Sequence, residues 1–211
     1  MQILSVSADH DASNHKYLNQ MYQLRAAVFG GRLEWDVTIT EQGERDQYDD
    51  LLPTYILAVS AGHKVIGCAR LLPASGPTML EQTFPQLLEC GSLDARIAKV
   101  ESSRFCVDTS LAAGRGGTLH QVTLTMFAGI IEWSMANGYT EIITATDLRF
   151  ERILKRAGWP MNRLGAPVAI GNTIAVAGSL PADRASFDTV CPPGYRSTIG
   201  HNDAGPLRSA A

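Results

Sequence analysis

Residues 119–146 read LHQVTLTMFAGIIEWSMANGYTEIITAT, which is a helix followed by a strand. Apolar side chains at 119, 122, 126, 127, 130 and 133 repeat at helical spacing from Leu119 to Met135. Gly138 stops that run, as a glycine past a helix end does. Thr140–Thr146 is then β-branched and strand-like. Upstream lies another strand, Val100–Val107. Downstream lies an amphipathic helix, Leu148–Ala157, closed by Gly158 and Pro160, and then a strand, Thr173–Ala177. Before Val100, the strand-like runs Tyr55–Val59 and Lys64–Leu72 are joined by Ala61-Gly62-His63 as a hairpin. The order predicts an α/β fold with a mixed, twisted sheet flanked by helices on both faces.

Further out the signals are local. Gln2–Val6 alternates as a strand would. From His15 to Phe29, Tyr17, Leu18, Met21, Leu24, Ala27 and Val28 share one helical face, and Gly30-Gly31 ends it. Residues 32–53 lack periodicity and predict a long ordered loop, a kind of segment that tends to carry function. Pro77–Leu88 reads as short helical pieces. The chain after Pro181, rich in Pro, Gly and Ser, predicts a tail wrapping the surface, irregular after about residue 195. Nothing marks a domain boundary, so 1–211 reads as a single domain.

The 211 residues are 45% hydrophobic and 18% charged, enough for a real core. The net charge of −3 argues against a general nucleic-acid binder. No apolar run reaches the ~20 residues a bilayer span needs, and the first residues do not resemble a secretory signal. Cys68, Cys90, Cys106 and Cys191 form no C-x-x-C pair and predict reduced thiols in a cytoplasmic protein. The five histidines show no metal spacing, and no G-x-S-x-G, Walker A or H-E-x-x-H motif is present. No metal and no cofactor is expected.

Four constellations carry candidate chemistry. Residues 41–50 hold Glu41, Glu44, Asp46, Asp49 and Asp50 against Arg45. This run is a solvated loop or a site for a cationic ligand, since Asp46 and Asp49 sit three apart near Trp35 and Tyr48. In Val100–Asp108, regular alternation places Glu101, Ser103 and Phe105 on one strand face and Arg104 on the other. A buried Glu101 is either paired with Arg70 or Arg25, or placed near a reacting amine. Arg115-Gly116-Gly117 opens the long helix and is either a plain cap or a contact for a pantetheine phosphate or pyrophosphate. Arg149, Arg152, Lys155 and Arg156 make a basic helix face, solvated or docked by an acidic partner.

Taken together these residues resemble the LuxI-type acyl-homoserine-lactone synthases, the autoinducer synthases of quorum sensing, and most closely the TraI branch linked to plasmid conjugation. The carrying segments are Leu24-Arg25-Ala26-Ala27-Val28-Phe29 through Arg32-Leu33-Glu34-Trp35-Asp36-Val37, then Glu44-Arg45-Asp46-Gln47-Tyr48-Asp49, then Arg70-Leu71-Leu72-Pro73. Glu101-Ser102-Ser103-Arg104-Phe105 and Arg152-Ile153-Leu154-Lys155-Arg156-Ala157-Gly158-Trp159 complete them. The resemblance implies a single domain like the GCN5-related N-acetyltransferases. It implies acyl transfer from acyl carrier protein to the amine of S-adenosylmethionine (SAM), then lactonisation with release of 5′-methylthioadenosine. SAM is thus a substrate, not a cofactor. Catalytic roles fall to Glu101, Ser103 and Arg104, with Glu101 as the candidate base. Arg25, Phe29, Trp35, Asp46, Asp49 and Arg70 shape the SAM side, and Arg25 or Arg104 pairs with the SAM carboxylate. Phe105, Met126, Phe127, Ile130, Thr144 and Thr146 are the expected acyl-chain pocket, with Thr144 reading a 3-oxooctanoyl group. Arg149, Arg152, Lys155 and Arg156 are the expected carrier-protein dock. The alternatives are a conventional acetyl-CoA-dependent N-acetyltransferase, which would need neither SAM nor carrier protein, and an acyl-binding regulatory module.

Overall fold

The computed structural model describes residues 1–7, 14–94, 97–111 and 121–199. Along the chain run strand β1 (Gln2–Ser7), helix α1 (His15–Arg25) and a π-helix over Ala26–Arg32. A small hairpin of β2 (Ile39–Thr40) and β3 (Gly43–Glu44) leads into a 3-10 turn at Gln47–Leu51. Then come β4 (Thr54–Val59), β5 (Val65–Pro73), the short helix α2 (Met79–Gln82) and β6 (Lys99–Val107). Helix α3 (Gln121–Ala136), β7 (Glu141–Asp147) and α4 (Leu148–Arg156) follow. The last elements are β8 (Asn162–Arg163), β9 (Val168–Ile170), β10 (Thr173–Pro181) and α5 (Arg184–Val190).

The main sheet has the order β1-β4-β5-β6-β7-β10-β8, with β9 also on β10. Among the described strands only β6 and β7 pair in parallel; α3 lies between them in the chain. One face of the sheet packs on α3 and α4 through Ile56, Ala69, Leu71, Met126, Phe127 and Leu154. The other packs on α1 and the π-helix through Met21, Phe29, Tyr55, Leu57, Cys68 and Cys106.

The glycines at 138 and 158 end α3 and α4 as the sequence predicts. Each takes a positive φ, +78° and +80°. The following N–H groups, of Tyr139 and Trp159, return to the carbonyls of Ser134 and Leu154. Both ends are therefore closed by the same six-residue motif. Three elements differ from the sequence reading. The first helix does not stop at Gly30-Gly31 but widens into the π-helix through Arg32, with Leu33 N–H bonded to Val28 O at 2.9 Å. The expected loop 32–53 contains the β2–β3 hairpin and a capped 3-10 turn. The tail after Pro181 forms α5, capped by Asp183, and then Ser197 pairs with Ile3 at the edge of β1. Gly43, at φ +116°, lets the hairpin approach α1: a Cβ there would lie 2.3 Å from the Tyr22 carbonyl carbon. That approach brings Glu44 against Arg25.

Candidate active site

Strand β6 carries the centre of the site. Its register against β5 slips between the Cys68–Cys106 and Arg70–Ser103 pairs, so Ala69 faces both Arg104 and Phe105. Arg104 adopts φ +52°. This is a β-bulge, and it re-aims two side chains. Arg104 turns to the α1 face, where Nε donates to Glu44 at 3.1 Å and Nη2 lies 2.7 Å from Asp46. Phe105 turns to the α3 face and packs on Phe127 and Phe150, with ring centroids 5.4 and 4.7 Å apart. Regular alternation predicts the opposite placement for both, because period-2 counting fails across an inserted residue.

The acidic loop meets arginines rather than solvent. Arg25 donates through Nε to Glu44 and through Nη1 and Nη2 to Asp49, at 2.8 and 2.9 Å. Arg70 reaches Asp46 and Asp49, and its Nε donates to Ser103 Oγ at 3.1 Å. Tyr55 O–H adds a 2.7 Å bond to Asp49. Asp46 and Asp49 also cap the 3-10 turn reciprocally. Three arginines, 25, 70 and 104, thus balance three carboxylates, 44, 46 and 49, and this cluster has no charge left over for a cation. Burial alone would raise the Asp49 carboxyl, but Arg25 and Arg70 overcome it and hold that carboxyl well below the ordinary range. Arg25 is fully enclosed, so it is not available to a substrate carboxylate; the expectation that it pairs with one is corrected.

Glu101 is also enclosed, at 1% exposure. It pairs with neither Arg25 nor Arg70. Its Oε2 and Oε1 accept the N–H groups of Met79 and Leu80 at 2.9 and 2.7 Å, the open donors at the start of α2. Burial pushes its carboxyl up, and the two N–H groups and the charge of Arg70 offset that in part. Met79 Sδ lies 3.5 Å from Arg104 Nη1. Phe29 bridges Arg104, 5.5 Å above its ring, and Trp35, stacked on it at 5.3 Å.

Strands β6 and β7 pair only at Lys99–Glu141, Val100–Ile142 and Glu101–Ile143, then diverge. A cavity of about 480 Å³ fills the gap between them. Because it passes through the sheet, its two sides differ. Towards α1 the walls are Phe29, Trp35, Met79, Glu101, Ser103 and Arg104. Towards α3 and α4 they are Phe105, Thr123, Thr144, Thr146, Phe150 and Ile153. Exposed Arg32, Arg149 and Arg156 also line it.

Arg25, Asp46, Asp49 and Arg70 form the ionic layer behind this cavity and do not line it. Met126, Phe127 and Ile130, expected as tunnel walls, are core residues at 0–2% exposure and do not themselves line it. Phe127 backs the wall through Phe105 and Phe150. Arg152 and Lys155 are exposed and off the cavity, while Arg149 and Arg156 lie on it. Arg115-Gly116-Gly117 falls outside the described residues. Sequence reading gave no role to Met79 or Thr123, and named Glu44 only as a member of the acidic run. Glu44 stands in the acidic run, two residues before the Asp46–Asp49 turn, but only the Gly43 approach shows that it faces Arg25.

Among the described residues no helix is long and apolar enough to cross a membrane, and no three His, Cys, Asp or Glu side chains gather to hold a metal. The autoinducer synthase family matches residues 9–190. An acyl-homoserine-lactone synthase of Rhizobium radiobacter is 70% identical over the whole of both chains. The solved CoA-dependent acyl-homoserine lactone synthase BjaI, with SAM and isopentyl-CoA, covers 92% of each chain at TM-score 0.80 and 23% identity. A putative N-acetyltransferase from Lactobacillus plantarum superimposes at TM-score 0.59 and 16% identity, over 87% of this chain and 100% of its own. The fold is thus that of the N-acetyltransferases.

Proposed function

The chain belongs to the autoinducer synthases, which are acyl-homoserine-lactone synthases, and we propose that it transfers an acyl chain from acyl carrier protein to the amine of SAM and then closes the lactone. The observation that carries this reading is the cavity through the sheet. One side is ionic and aromatic and suits a charged, amine-bearing nucleoside. The other is apolar with hydroxyls and suits an acyl chain. The two meet in the gap between β6 and β7.

The chemistry follows from that placement. SAM lies on the Phe29–Trp35 side, its sulfonium against aromatic faces and its carboxylate paired with Arg104. The acyl chain runs between Phe105, Phe150 and Ile153, which puts the thioester in the gap. Past Glu101, where the pairing with β7 ends, the β6 edge offers strand N–H groups to polarise the thioester oxygen. Glu101, buried and with its carboxyl raised, takes the proton of the SAM ammonium through a water. The amine attacks the carbonyl carbon, the C–S bond breaks, and the carrier thiol leaves. The SAM carboxylate then attacks its own γ-carbon and expels 5′-methylthioadenosine. Holding both substrates in one cavity supplies much of the rate. The exposed Arg149, Arg152, Lys155 and Arg156 receive the acidic carrier protein. Thr144, 8% exposed and bonded only weakly to Ala145 O at 3.4 Å, offers its hydroxyl to a 3-oxo group, and 3-oxooctanoyl is the proposed chain.

Release of 5′-methylthioadenosine is measured with 3-oxooctanoyl-carrier protein, the matching acyl-CoA and acetyl-CoA, each with SAM. Release at a higher kcat/KM with the carrier-bound donor is expected. Equal rates with the acyl-CoA would overturn the choice of donor, and release of the CoA thiol from acetyl-CoA with a primary amine in place of SAM would favour a conventional acetyltransferase.

A further inference from the structure

Cys68 on β5 and Cys106 on β6 face each other directly across the antiparallel pair. Their sulfurs are 3.4 Å apart, and both are free thiols. Facing residues on antiparallel strands have Cα atoms about 4.5–5.5 Å apart, inside the range a disulfide accepts. Small side-chain rotations would therefore bring the sulfurs together without moving either strand far. The pair also sits where a change is felt. Cys106 lines the cavity, two residues beyond Arg104. Cys68 Sγ donates to the Arg104 carbonyl at 3.5 Å, inside the bulge that aims the Arg104 side chain.

We propose that Cys68 and Cys106 are an oxidation site at which a peroxide forms a cross-strand disulfide and lowers synthase activity. In the first step one thiol is oxidised to a sulfenic acid and the peroxide is reduced, leaving as water. In the second the facing thiol attacks that sulfur, the S–S bond forms, and a second water leaves. Two thiols lose two protons and two electrons in all, and a thiol reductant restores them by exchange. Burial and the Cys68 contact push the Cys106 thiol up, so the reaction is slow in the resting enzyme and needs sustained oxidant. The bond removes the S–H that holds the Arg104 carbonyl and draws Cys106 towards β5. The guanidinium at the cavity wall then shifts.

The test is timed treatment of the full chain with hydrogen peroxide, read by peptide mapping after alkylation. That readout is independent of the proposed reaction. A linked Cys68–Cys106 peptide, about 2 Da lighter than the two reduced peptides together, is expected in the wild type and absent in Cys68→Ala. Methylthioadenosine release from SAM and acyl-carrier protein should fall by about fivefold or more as the linked species accumulates. Dithiothreitol should restore it. Because Cys68→Ala also loses the S–H at the Arg104 carbonyl, it is read against its own untreated rate, and peroxide should no longer inhibit it reversibly. Links to exposed Cys90 or to Cys191 in place of this pair would overturn the proposal, as would full activity in the fully linked protein.

Discussion

Asp49 shows how single residues hold the site in place. Its carboxylate is enclosed and takes bonds from Arg25, Arg70 and Tyr55, so every oxygen position is used. Removing its charge leaves two buried guanidinium groups short of a partner. Asp49→Asn should cost about 3–5 kcal/mol, read as a lower urea midpoint with an unchanged slope. The sign with pH follows from its depressed carboxyl. The stability it contributes is complete above its unfolded value near about pH 4 and is lost as pH falls through the lower folded value. The wild type should lose melting temperature on acidification below about pH 4, and Asp49→Asn should flatten that limb. Glu101 is a different case, because its oxygens hold two backbone N–H groups at the cavity wall. Glu101→Gln removes the proposed base, and single-turnover acylation should fall by about 10²-fold. Its amide also turns a donor towards Met79 or Leu80, so melting is measured alongside. A fall in rate with no change in the pH–rate profile would contradict the role of base. The acidic run, Glu101 and Arg104 were all legible in the sequence as charged residues in an unusual place. Their pairings were not, because which arginine meets which carboxylate is decided by the approach of β3 to α1 at Gly43.

Elements add constraints that counting cannot supply. Alternation along β6 holds through Ser103 and then fails, since one inserted residue exchanges the faces of Arg104 and Phe105. No glycine marks that bulge, so nothing in the sequence signals it. The same holds for the π-helix, whose Gly30-Gly31 reads as a stop but lies inside it. Helix α4 is the contrary case. Its cap Asp147, which accepts from Phe150 N–H at 2.7 Å, its apolar spacing and its Gly158 end are all local signals, and the sequence reading found the amphipathic helix and its Gly158 end. Its basic face separates into two parts. Arg149 and Arg156 border the cavity, while Arg152 and Lys155 face solvent away from it. Reversing Arg152 and Lys155 to Glu should therefore raise KM for acyl-carrier protein about tenfold and weaken its salt dependence, leaving KM for SAM nearly unchanged. Steady-state kinetics at two ionic strengths reads both. Equal rises in the two KM values would point to a damaged fold instead.

At the scale of the whole molecule the decisive feature is that β6 and β7 start paired and then part. The order of strands and helices predicted a mixed sheet, and the structure has one, with α3 between the parallel strands β6 and β7. Where they part is set by tertiary packing: Phe105, Phe127 and Phe150 wedge the α3 side, and the bulge turns the β6 edge. That is why Met126 and Ile130 share the helix period but stay in the core, while Thr123 and Thr144 reach the cavity. A buried 3-oxo group left without a donor costs about 1–3 kcal/mol, so Thr144→Val should shift product about tenfold from 3-oxo towards unsubstituted chains at the same length. Lactone profiling from mixed acyl-carrier donors checks this, and Thr146→Val serves as the control on the same face. The most direct measurement of the central claim uses SAM labelled with nitrogen-15 on its amine, 3-oxooctanoyl-carrier protein, and mass spectrometry of the products. The account predicts an acyl-homoserine lactone that carries the label in its amide, with one 5′-methylthioadenosine released for each lactone formed. Unlabelled lactone, or labelled SAM recovered intact while the thioester is consumed, would contradict it.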